Sequence, residues 1–71
     1  MVNLKSYHTL WTDAWKLFRK YAEMMPLTDK QWSDLVDESA RLVDEHPEHD
    51  KLALRLVFEA AEELNRIEKG G

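Results

Sequence analysis

Apolar residues recur at helical spacing in three separate runs of this chain, and a proline closes each of the first two. In the first run Tyr7, Trp11, Ala14, Phe18, Tyr21 and Met25 stand three or four apart, which lines them along one side of a helix with 3.6 residues per turn. Thr12, Asp13, Lys16, Arg19, Lys20 and Glu23 take the other side, and Asn3 or Ser6 is placed to cap the start. Pro26 ends the run, because the residue before a proline is driven out of the helical region.

The second run opens on "PLTDKQW". Thr28 can accept the Gln31 amide while the Gln31 side chain reaches back, and Leu27 can clasp Trp32 from outside, a capping box with a hydrophobic staple. Trp32, Leu35, Val36, Ser39, Ala40, Leu42 and Val43 form its inner face, and Pro47 sets its end near His46. Pro47 also suits the first turn of the third helix, so that boundary stays open. Ala53, Leu54, Val57, Ala60, Ala61, Leu64 and Ile67 make the third inner face, which ends toward Gly70 and Gly71. Connections this short make sequential neighbours antiparallel. The expectation is an all-α, up-down-up three-helix bundle with helices at roughly 4–25, 29–46 and 49–68, and residues 1–71 as a single helical domain.

A chain of 71 residues hides only roughly 60% of the surface it exposes when unfolded, so its margin of stability is thin. It has no cysteine, which excludes a disulfide staple and a thiolate zinc site. Packing or association must supply the stability. No apolar run approaches the roughly 20 residues of a membrane span, and no signal-peptide pattern is present, so a cytoplasmic protein that engages no membrane is expected. The net charge of −4 is concentrated in the middle third, where residues 26–50 carry two bases against eight acids.

Some apolar residues fall outside the three inner faces. At about 100° per residue, Leu10, Leu17 and Met24 form a second row roughly 80° to one side of Trp11 and Phe18, at the border of the stripe. On the third helix Leu52, Leu56 and Phe58 likewise fall off the main row, Phe58 by about 100° from Val57. One reading is that a helix touching two neighbours needs a wide apolar arc, and all of it is core. The other is an exposed patch for a partner helix or a second copy, with Leu10, Leu17, Met24 and Phe58 as the partner-binding candidates.

Sites of chemistry are scarce. His46 and His49 stand beside Glu45, Glu48 and Asp50, but two histidines on a turn supply at most half of a tetrahedral zinc shell, and solvated loop histidines are expected. No Ser or Thr is spaced with His and an acid as a nucleophilic site would be, and no Gly-rich loop is present to cradle phosphate. No catalytic, metal or cofactor site is therefore expected. The His-Pro pair between two helices is shared with J-domain co-chaperones, yet Glu48 stands where that motif has Asp, and the preceding helix is acidic rather than basic. Lys16, Arg19 and Lys20 beside Trp15 are too few for direct nucleic-acid binding. Asp34, Asp37, Glu38, Asp44 and Glu45 form an acidic row on the second helix, which either is a solvated face or imitates a phosphate backbone.

The segments "WTDAWKLFRKY", "QWSDLVDESARLV" and "LVFEAAEEL" resemble small uncharacterised helical proteins of gut Firmicutes and their mobile elements. The resemblance rests on aromatic and apolar spacings across most of the chain. It implies no activity and no functional residue, and it points to a phage or mobile-element accessory role. The function expected is a non-enzymatic protein-interaction module, with a protein partner or self-association as a homodimer. The alternative is an acidic inhibitor whose second helix occupies a nucleic-acid-binding groove of a host enzyme.

Overall fold

The computed structural model describes residues 2–70. Its elements are α1 (Leu4–Glu23), α2 (Asp29–Glu45), a 3₁₀ turn (Pro47–His49) and α3 (Asp50–Gly70). The local signals act as the sequence implies. The Asn3 side chain accepts the Ser6 amide at 3.2 Å and starts α1. Both halves of the capping box are formed at α2, Gln31 N donating to Thr28 Oγ1 at 3.2 Å and Thr28 N to Gln31 Oε1 at 2.9 Å.

Helix ends shift slightly from expectation. α1 stops at Glu23 rather than 25, because the Met24 and Met25 amides fold back onto the carbonyls of Tyr21 and Ala22 before Pro26. Pro47 continues neither helix; it opens the 3₁₀ turn, which leads directly into α3 at Asp50. α3 runs to Gly70, two residues past the expected end.

The three helices pack on one another as an all-α bundle measuring 43 × 20 × 16 Å. α2 runs against α1, as the Asp13–His46 and Lys20–Glu38 contacts require, and α3 lies parallel to α1, since Ser6 meets His49 at one end. Among the described residues no helix is long and apolar enough to cross a membrane.

The core corrects the expected face of α1. Leu10 and Leu17, read as border residues and candidates for a partner surface, are 0% and 7% exposed and line the bundle axis with Ala14 and Tyr21. Trp11, read as inner, is 53% exposed, while Tyr7, Phe18 and Met25 are half-buried. The helix is thus rotated toward its leucine row. Leucine and alanine fit the narrow line where three helices converge, whereas a tryptophan there would force the helices apart. From α2 the core takes Leu35 and Leu42, and from α3 Ala53, Val57 and Leu64, with Leu27 closing the first turn. Val36, Ala40, Leu54 and Ile67, also read as inner, are exposed.

Candidate interaction surface

Turning α1 toward its leucines places Trp11 and Trp15 about 100° and 140° from Leu10 around the helix, on the flank that faces α3. Both remain more than half exposed, Trp15 at 55%. Trp15 stacks on Phe18 with ring centroids 6.2 Å apart and planes 28° from parallel, which holds the indole against the helix. Across from them, α3 offers Leu56 and Ala60 as a floor and Glu59 and Glu63 as a wall. The result is a groove of about 440 Å³ between the two parallel helices, apolar on the α1 side and acid-rimmed on the α3 side. Arg19 is exposed one turn beyond Trp15 and engages Glu23 at 3.8 Å.

Of the four partner-binding candidates, the structure brings none into this groove. Leu10 and Leu17 are in the core, as above, and Met24 is half-buried against it. Phe58 is 59% exposed but lies on the opposite flank of α3, about 160° round from Leu56, on the side shared with Leu54. The residues that do form the groove include Trp11 and Phe18, which the 3.6 period had put inside. The available clue was size: two tryptophans four apart on a helix whose other row is leucine.

The acidic row is divided by the fold. Asp34 is tied to Lys30 at 3.3 Å, and Glu38 accepts from Lys20 of α1. Glu38 and Glu45 line the α1/α2 groove together with Lys16, Lys20 and Arg41, so cations alternate with these carboxylates. Asp37 and Asp44 are exposed, about 80° to 120° round the helix from Glu38 and Glu45. Glu38 also faces the Tyr21 phenol. Burial first, and then this carboxylate, pushes the Tyr21 pKa up to about 12.

The histidines are not the solvated loop residues that were expected. His46 is 5% exposed, and its Nε2 donates to Asp13 Oδ2 at 2.9 Å. His49 stacks on Tyr7 with centroids 4.0 Å apart, and its Nε2 lies 2.7 Å from Ser6 Oγ. The Ser6 hydroxyl also lies 2.9 Å from the Asn3 carbonyl, which can only accept. The arrangement satisfying all three groups runs from His49 N–H to Ser6 Oγ and from Ser6 O–H to Asn3 O. In it the imidazole donates to the serine rather than accepting its proton, so the pair fastens α1 to the 3₁₀ turn and does not prime a nucleophile. Among the described residues no group of three His, Asp or Glu side chains is placed to hold a metal ion.

Comparison with models of protein families, with curated proteins and with solved structures finds no match to this chain.

Proposed function

We propose that this chain is a non-enzymatic protein-interaction module whose docking surface is the aromatic groove between α1 and α3. The exposure of Trp11 and Trp15 side by side carries this reading. Large aromatic residues concentrate where one protein binds another, because each buries 150–250 Å² at little cost in side-chain entropy. A helical bundle this small gains stability by covering such a face. The groove presents apolar and acidic lining with no nucleophile or paired acid and base along it, which suits recognition rather than reaction.

The test is site-specific cross-linking in the cell that makes the protein. A photoreactive side chain at Trp15 is expected to give discrete protein adducts, and the same group at Asp37, on the outer face of α2, is expected to give none. Adducts at both positions in equal yield, or at neither, would remove the reading.

A further inference from the structure

We infer that the occupant of the α1/α3 groove is a second copy of the same chain, joined about a twofold axis parallel to the helices. The inference rests on the groove being the docking surface. Its first support is register. Trp11, Ala14, Trp15 and Phe18 line one wall at the same spacing as Leu56, Glu59, Ala60 and Glu63 line the other, and the two helices are parallel. Both stretches line the same groove, so Trp11 and Trp15 stand within the heights spanned by Leu56 to Glu63, and Arg19 follows one turn on.

Rotation about an axis parallel to the helices preserves the height of every residue and sets α1 of each copy over α3 of the other. The Trp11 and Trp15 pair of each copy then faces the floor of Leu56 and the small Ala60 on the other, bulky side chains opposite a shallow surface. Arg19 comes to the wall of Glu63, which in its own chain engages Arg66 at 3.1 Å as Arg19 engages Glu23 at 3.8 Å; the cross-copy pairing, made twice by symmetry, draws on these two exposed local pairs. An axis across the helices would instead set α3 on α3 and bring the Glu59 carboxylates of both copies to one seam, Glu63 being held by Arg66 at 3.1 Å. Like charges so placed are costly, and the charge pattern selects the parallel axis.

The second support is area. Trp11 and Trp15 together leave on the order of 250 Å² exposed. With Phe18, Leu56 and the exposed Leu4 and Ile67 on the same flanks, the apolar face reaches roughly 500 Å². That matches the apolar share of a standard interface of about 800 Å² per partner.

Self-association is measured by analytical ultracentrifugation, with circular dichroism confirming helicity. The wild-type chain is expected to form dimers, and Trp15→Glu to weaken them at least ~30-fold. Arg19→Glu and Glu63→Arg are each expected to weaken the dimer about fivefold. Mixing those two variants is expected to give a heterodimer tighter than either homodimer, because both cross-pairs then become attractive. This mixing experiment decides the matter even if Trp15→Glu fails to fold. A chain that stays monomeric at high concentration overturns the dimer while leaving the groove open to another partner, which the Trp15 adducts would reveal. A dimer indifferent to Trp15→Glu overturns both the dimer geometry and the docking surface. A Trp15-sensitive dimer with no gain on mixing overturns the parallel axis.

Discussion

Tyr21 shows how much one buried polar side chain can control. It is 1% exposed, lies beside the Lys20 ammonium at 5.3 Å from its ring centre, and faces Glu38 across the α1/α2 groove. Its phenol is neutral through the physiological range, and its pKa is raised to about 12 from an ordinary value of 10. A group whose folded pKa is raised contributes its stability below the unfolded pKa and loses it as pH climbs through the folded one. Stability is thus expected to fall by on the order of 2 to 3 kcal/mol between about pH 10 and pH 12, read from alkaline denaturation with tyrosinate absorbance. Tyr21→Phe should flatten that dependence; an unchanged profile would mean another group is responsible. At the opposite end, Asp13→Ala leaves the buried His46 N–H without an acceptor. A loss of about 1 to 3 kcal/mol in urea unfolding is expected.

At the scale of the element, α2 and α1 behave differently. α2 is fixed by its own start signal: Thr28 and Gln31 exchange bonds within four residues, and the sequence alone places them. Thr28→Ala should cost about 1 kcal/mol of stability without altering the helix boundaries. α1 carries two rival apolar rows, Leu10 with Leu17 and Trp11 with Phe18, on one broad arc. Period alone does not choose between them, because both rows repeat at seven residues. The choice comes from its neighbours, since Asp13 must reach His46 and Ser6 must reach His49 on one side of the helix. Paired substitutions check the rotation. Leu17→Glu should abolish cooperative thermal unfolding, while Trp11→Gln should leave a folded monomer with a loss of only about 1 to 2 kcal/mol. The reverse ranking would restore the aromatic stripe to the core.

For the whole molecule the decisive quantity is how little interior three short helices enclose. Among the described residues ten buried apolar side chains form the core cluster, while Leu4, Trp11, Trp15, Leu54, Phe58 and Ile67 remain exposed on the flanks of α1 and α3. Such a fold is expected to gain stability by association, so its midpoint of thermal unfolding should rise with protein concentration. For the Trp15→Glu chain the midpoint should be independent of concentration. A concentration-independent midpoint in the wild type would place all of its stability within the single chain.

The sequence by itself determined the three helices, their order and direction, and the caps, because these depend on contacts within a few residues and on two prolines. It did not determine which side of α1 faces inward, that His46 is buried, or that the acidic row of α2 is interleaved with cations from α1. Those features depend on groups more than fifteen residues apart, and on volume. Only the packed bundle decides that leucine and alanine fill the narrow axis, leaving the tryptophans at the surface.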